Sequence, residues 1–125
     1  MLRTAAKIFG FSFVAAGILG FVPGITVDGH LLGIFRVDAA HNMVHIISGL
    51  IALYVGYTSE HGSHLYFQIF GVLYGLVAVL GLFHGNQPLL GVMAHNAADV
   101  VLHFVIAGVA LYLGFAVKER RTAHA

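Results

Sequence analysis

Long stretches without a charged residue dominate this chain of 125 residues. Asp, Glu, Lys and Arg are absent from residues 8–27, 39–59, 61–98 and 100–117. A helix that crosses a bilayer needs about 20 largely apolar residues, and each stretch offers such a segment. The sequence therefore predicts four membrane-spanning helices, near residues 6–22, 38–57, 65–84 and 96–117.

The composition points to the same class of protein. Hydrophobic residues make up 59% of the chain and charged residues 9%, whereas about a quarter of a typical soluble domain is charged. The chain has no cysteine, which excludes disulfides, thiolate-bound metals and iron–sulfur clusters. A net charge of +1 gives no reason to expect a nucleic acid. The expected partners are the lipid bilayer and either a second copy of the chain or a larger membrane complex.

The basic residues predict the orientation. All but one of them lie in the two tails, as Arg3, Lys7, Lys118, Arg120 and Arg121. Basic segments stay on the cytoplasmic side of a membrane, so we expect both termini in the cytoplasm. The connection TSEHGSH (58–64) would then also lie inside, and the connections at 23–37 and 85–95 would lie outside.

Two polar motifs, DAAHNMVH (38–45) and NAADVVLH (96–103), repeat within this apolar chain. An offset of 58 residues places position 38 on 96, 41 on 99 and 45 on 103. Upstream the offset becomes 61, which relates GILG (17–20) to AVLG (78–81). We therefore predict one domain over residues 1–125. It is an all-α membrane bundle of two duplicated hairpins, at about 6–57 and 65–117, related by a pseudo-two-fold axis along the membrane normal.

The first residue of each motif is typical of a helix N-cap, because Asp and Asn side chains accept hydrogen bonds from first-turn amides. Asp38 and Asn96 take this position, and Asp99 stands where a capping box places its second member. Asn42 is a further polar residue of the first motif. We assign Asp38, Asn42 and Asn96 a structural role.

The histidines at the motif ends indicate a binding site. His45 and His103 lie seven residues beyond the caps, about 10 Å along the helix axis, where an unpartnered imidazole in hydrocarbon is costly. Side chains four residues apart share a helix face, which pairs His41 with His45 and Asp99 with His103. If the second and fourth spans face each other, these side chains converge on a divalent metal, with zinc, iron, copper and nickel as candidates.

Other uses of the same residues stay open. His45 and His103 alone would suit the two axial positions of haem b. The polar motifs would otherwise lock the two hairpins together without a ligand, as in an accessory or structural membrane protein, or serve a small organic ligand or a proton relay. His84 and His95, near the outer connections, are reserve ligands.

An enzyme is the less favoured hypothesis. An intramembrane metal hydrolase acting on lipid would place Ser48 one turn beyond His45, but a catalytic zinc also needs an open position and a general base. With four candidate ligands already assigned, no general base is evident unless Asp99 or Asp38 takes that role. We therefore rank a hydrolase below a metal-binding or haem-binding protein and a structural protein.

The motifs VDAAHNMVHIISG and NAADVVLH, preceded by GFVPG and LLGIF, resemble the signature of domain-of-unknown-function family 4383. This family consists of small four-span bacterial membrane proteins, and the resemblance covers nearly the whole chain. The chain departs from the family pattern at Asp38 and Val100, where asparagine is usual or common. The resemblance implies the fold and a place in the bacterial cytoplasmic membrane, and it implies no activity.

Overall fold

Four long helices make up most of the residues that the computed structural model describes, which are 1–85, 87–91 and 93–119. They are α1 (Leu2–Leu19), α2 (Ala39–Thr58), α3 (Glu60–His84) and α4 (Ala97–Leu111), and a π-helical turn (Tyr112–Ala116) extends α4. All four are long and apolar enough to span a membrane, which confirms the predicted all-α membrane bundle. The basic residues Arg120 and Arg121, used above to predict the orientation, lie outside the described residues.

Two helix starts differ from the prediction. α1 begins at Leu2 rather than near residue 6, and α3 begins at Glu60 rather than near residue 65. The stretch predicted as a connection, TSEHGSH, is therefore mostly helical. Ser59 explains the short joint, because its amide donates to the Val55 carbonyl at 2.8 Å and its hydroxyl accepts from the Gly62 amide at 2.8 Å. One residue thus ends α2 and caps α3.

The chain forms two helical hairpins. α1 packs along α2 and α3 packs along α4, while the hairpins meet mainly through α3, which contacts α2 and α1. Large apolar side chains cover the outer surface, among them Leu50, Leu76 and Val101, each more than half exposed. A continuous apolar surface of this kind suits lipid rather than water.

The backbones of α1 and α2 approach closely at Gly10 and Gly49. A Cβ atom added to Gly49 would lie 2.8 Å from the carbonyl oxygen of Gly10, and one added to Gly10 would lie 2.8 Å from that of Gly49. Neither position has room for a methyl group. Small residues at helix interfaces allow this close packing in membranes, where dispersion contacts replace the hydrophobic effect.

The connections within the two hairpins lie together at one end of the bundle, here called the loop end. The first connection carries a three-stranded antiparallel sheet of β1 (Thr26–Val27), β2 (His30–Leu31) and β3 (Phe35–Arg36). We did not predict this sheet from the sequence. Strands of two residues are too short to show the alternation that identifies a strand.

The two connections share a turn that supports the duplication. Leu32 and Leu90 have φ angles of 55° and 53°, and the glycines that follow them, Gly33 and Gly91, have φ angles of 73° and 75°. Left-handed backbone suits glycine and is uncommon for leucine. The repeat LLG therefore folds into the same unusual turn in both halves.

The opposite end of the bundle, here called the tail end, holds the start of α1 and the joint between α2 and α3. The Arg3 guanidinium donates to the carbonyl oxygens of Gly56 at 3.0 Å and Tyr57 at 2.7 Å. These carbonyls belong to the last turn of α2, where free carbonyl groups carry partial negative charge. Arg3 thereby ties the start of the chain to the end of α2.

A second tie at the tail end holds the segment after α4. One carboxylate oxygen of Glu119 accepts hydrogen bonds from Nδ1 of His61 at 2.7 Å and Nδ1 of His64 at 2.8 Å. These two hydrogen bonds lower the pKa of the Glu119 carboxyl. The histidines belong to the first turns of α3, so Glu119 joins the end of the second hairpin to its beginning.

Gly49→Ala should lower the stability of the bundle by roughly 1–3 kcal/mol, because the added methyl group overpacks the contact with α1. The matched control is Gly108→Ala on α4, where an added Cβ atom would meet nothing within 4 Å among the described residues. Thermal unfolding in detergent micelles should show a lower midpoint for Gly49→Ala and an unchanged or higher midpoint for Gly108→Ala. Equal midpoints for the two variants would contradict the close approach.

Glu119→Gln should loosen the segment after α4 near neutral pH, because an amide accepts weaker hydrogen bonds than a carboxylate. A lowered pKa means that this stabilisation is present above the carboxyl's unfolded pKa and is lost as the pH falls through the folded pKa. Amides of residues 117–119 should exchange hydrogen faster in the variant than in the wild type near neutral pH, and the difference should vanish in acid. Identical exchange near neutral pH would refute the tie.

Candidate metal centre

Both polar motifs begin their helices with a side-chain cap. Asp38 precedes α2, and its Oδ1 accepts from the His41 amide at 2.8 Å. Asn96 precedes α4 and forms a capping box with Asp99, in which each side chain accepts from the other residue's amide, at 3.0 Å and 2.9 Å. Each cap thereby satisfies one amide in the first turn of its helix at the loop end.

The same caps join the two halves of the chain. Asp38 uses its second oxygen to accept from the Ala94 amide at 3.0 Å, and the Asn96 side chain donates to the Ile34 carbonyl at 2.9 Å. Each cap therefore reaches from its own half to the connection of the other half. This exchange fixes the starts of α2 and α4 relative to each other at the loop end.

Three histidine side chains meet one turn further into the bundle. His41 and His45 on α2 and His103 on α4 each offer one ring nitrogen, and these nitrogens lie within 4.8 Å of one another. The rings are 1%, 6% and 3% exposed, in that order. Their centroids are 4.6, 5.7 and 6.4 Å apart, which makes a triangle of imidazoles. We call these three residues the histidine cluster.

Hydrogen bonding assigns the tautomer of His41. Its Nδ1 lies 2.8 Å from the Ala94 carbonyl oxygen and 3.1 Å from that of Arg36. Since both neighbours can only accept, Nδ1 carries the proton and Nε2 carries the lone pair. Nε2 is buried and has no hydrogen-bond partner within the described part of the chain. A backbone carbonyl on one ring nitrogen and a free lone pair on the other is the arrangement of metal-binding histidines.

Aromatic rings hold the other two imidazoles. Phe13 on α1 stacks on His45, with centroids 5.7 Å apart and an angle of 11° between the rings, and Tyr74 on α3 lies 5.8 Å from His103. Neither nitrogen of His45 has a hydrogen-bond partner in the residues that the structure describes. Our sequence analysis missed Phe13 and Tyr74, although the offset of 61 already relates position 13 to position 74.

Asp99, the fourth ligand proposed from the sequence, lies beside the histidine cluster but is not one of its converging members. Its side chain is buried, and one carboxylate oxygen accepts from the Asn96 amide in the capping box. Asp99, which is equivalent to His41 in the repeat, thus caps its helix. Asn42 is also buried and lies against Gly20, the residue after α1, whose missing side chain leaves room for the amide.

The two reserve histidines are not members of the histidine cluster and lie near the loop end of the second hairpin. His84 ends α3 and its Nδ1 donates to the Leu80 carbonyl at 2.7 Å. His95 is 2% exposed, and both its ring nitrogens lack a hydrogen-bond partner within residues 1–85, 87–91 and 93–119. The two ring centroids are 6.3 Å apart.

A cavity of about 220 Å³ opens beside the histidine cluster, between α2 and α3. Its lining is largely apolar and includes the three imidazoles together with Ser48 and Tyr74, whose hydroxyl groups lie 3.4 Å apart. A separate groove between α1 and α4 is lined by His45 and Asp99 among apolar residues. His45 is therefore reached from both sides of the bundle.

One comparison with known proteins matches nearly the whole chain. A family model described as "Domain of unknown function (DUF4383)" matches residues 3–116, which include all four helices and both polar motifs. The comparison with curated proteins found no match, and neither did the comparison with solved structures. Since the matched residues make up well over half of the sequence, the chain belongs to the DUF4383 family.

Proposed function

We propose that this multi-pass membrane protein binds one transition-metal ion through His41, His45 and His103. The observation that carries the proposal is the convergence of three buried imidazole nitrogens to within 4.8 Å of one another. An ion coordinated by all three would satisfy the buried lone pairs of His41 and His45, which no protein group satisfies among the described residues. Buried polar groups without a partner cost about 1–3 kcal/mol each, and coordination removes that cost.

Zinc is the ion that we propose first. Zinc–nitrogen bonds are about 2.0–2.1 Å long, and zinc in proteins is usually four-coordinate. Nitrogens within 4.8 Å of one another need only a small inward movement to share such an ion. Iron, copper and nickel also bind imidazole. The ligand set therefore selects this class of ions, and the availability of each metal in the cell determines which of them is bound. Asp99 stays a candidate for the fourth ligand if its carboxylate turns from the capping box.

The triangle of imidazoles favours a single ion over haem b. His45 and His103 would be the axial ligands of a haem, with the macrocycle in the plane between them. The His41 ring centroid lies 4.6 Å from that of His45 and 5.7 Å from that of His103. A third ring this close to both takes space that the macrocycle would need.

A structural role without a ligand is the second candidate. It is favoured by the hydrogen bonds that cross between the halves, from Ala94 to Asp38 and from Asn96 to Ile34. These bonds would lock the two hairpins together with no ion bound. They involve the caps rather than His45 and His103, which leaves the burial of those two imidazoles without an explanation in the lock alone.

We place the protein in the bacterial cytoplasmic membrane with the tail end in the cytoplasm. Arg3, Lys7 and Lys118 belong to the tail end, and Arg36 belongs to the loop end. This distribution follows the positive-inside rule. The histidine cluster would then lie toward the outer leaflet.

Wild-type protein purified without a chelator or a histidine tag should contain close to one equivalent of metal per chain by mass spectrometry of the elements. His103→Gln should bind the same metal at least about 100-fold more weakly, since even residues that only support a ligand are worth 10- to 100-fold. The matched control is His30→Gln at the loop end, whose imidazole bonds the Asp28 carbonyl and which should keep full metal content. Metal-free wild-type protein, or equal metal in both variants, would end the proposal.

Thermal unfolding distinguishes a metal site from a purely structural role in which the polar motifs only hold the two hairpins together. Zinc added at about 100 times its dissociation constant should stabilise metal-free wild-type protein by about 2.7 kcal/mol and should leave His45→Leu unchanged. If the histidines serve only as a lock, zinc should leave both midpoints unmoved, because no folded-state site binds the ion. A shift of equal size in His45→Leu would assign the zinc to a different site.

A further inference from the structure

We propose that the cavity between α2 and α3 takes the ring of a neutral quinone-type lipid from the bilayer, with a ring carbonyl facing the histidine cluster. This inference rests on the proposed metal site and identifies the ligand that lies at the open coordination position of the ion. With Asp99 kept in its capping box, the three histidines leave a four-coordinate ion with one free position. The same three imidazoles form one wall of the cavity, so a ligand inside it lies next to that position.

The lining of the cavity selects a neutral amphiphile. The described lining is largely apolar, with Phe70 and Val77 among its members, and its polar groups are the three imidazoles and the hydroxyl groups of Ser48 and Tyr74. The described lining includes no acidic side chain, lysine or arginine. A charged head group would remain unpaired there at high cost, whereas a carbonyl oxygen accepts a hydrogen bond from a hydroxyl or coordinates an ion without bringing a charge.

Size and shape favour a planar ring. The volume of about 220 Å³ exceeds the roughly 150 Å³ of an apolar cavity that holds benzene, so a six-membered ring with small substituents fits. Phe70 and Tyr74 contribute aromatic rings to the wall, and aromatic side chains pack well against flat ligands. The volume is too small to hold the tail of such a lipid as well.

The tail has an exit into the bilayer. Val44 on α2 and Leu73 on α3 both line the cavity, and they are 43% and 49% exposed on the apolar surface of the bundle. In a protein that spans the membrane this surface faces lipid. The ring therefore enters sideways between α2 and α3 while its hydrocarbon tail stays among the acyl chains.

The test uses full-length protein in lipid nanodiscs, loaded with cobalt(II) because the visible spectrum of this ion reports its ligands and geometry. Adding decylubiquinone should change the cobalt spectrum of the wild type with saturation. Leu73→Trp fills the entrance and should weaken this response at least about tenfold while leaving cobalt bound. The matched control is Leu76→Trp on the same helix, which is 56% exposed and lines a different groove, between α3 and α4, and should respond like the wild type.

The outcomes separate this inference from the proposed function. Cobalt that binds with an unresponsive spectrum overturns the quinone and leaves the metal site standing. An equal response in Leu73→Trp and Leu76→Trp shows that the ligand does not use the cavity and also overturns it. The same response to a saturated fatty alcohol would assign the cavity to any hydroxylated chain instead of a quinone. Failure of cobalt to bind at all refutes the metal site itself.

Discussion

Hydrocarbon offers polar groups no hydrogen-bond partner. The hydrogen bonds at the start of α2 and α4 meet this constraint, because they pair polar groups of the two halves with one another. Asp38 satisfies one amide of each half, and His41 donates to carbonyl groups from both halves. The residues that begin the two helices are therefore the same residues that join the two hairpins. Because the starts of α2 and α4 are fixed relative to each other at this end, their next turns bring His45 and His103 together.

The backbone repeats at the starts of α2 and α4, whereas the polar side chains that follow differ between the two halves. Asp38 and Asn96 cap their helices with nearly identical backbone torsions, φ/ψ of −145°/−177° and −143°/−174°. Three residues later the halves diverge, since His41 points a free nitrogen into the bundle and Asp99 closes a capping box. The duplication thus supplies a pair of equivalent helices, and one change at equivalent positions turns a two-histidine arrangement into the three-histidine cluster.

Packing within and between the hairpins explains why space remains beside the cluster. Within the first hairpin, Gly10 and Gly49 let the backbones touch. Between the hairpins the interface contains rings instead, with Phe13 stacked on Tyr74 at 5.5 Å. Rings of this size hold helices apart, and the described structure has openings on both sides of His45, between α2 and α3 and between α1 and α4. His45 thereby lines an opening on each of two sides of the bundle.

Hydropathy and the two polar motifs were enough to predict four spans and two hairpins, and they pointed to His45 and His103, which the structure buries. The sheet at residues 26–36 and the single-residue joint at Ser59 were not predicted, because such short elements leave almost no pattern. Sequence spacing paired Asp99 with His103 on a shared helix face but did not tell whether that carboxylate turns inward or caps its own helix.

The sequence by itself therefore determined that this chain is a four-helix membrane protein with imidazoles buried at one depth. Each of these properties depends on one segment at a time, because the apolar length of a helix and its rise per residue can be read without knowing what the helix packs against. Only the tertiary structure decided which lone pairs are free and which are used, because those choices depend on contacts between distant parts of the chain. The proton on His41, for example, is held on Nδ1 by the carbonyl of Ala94, 53 residues away.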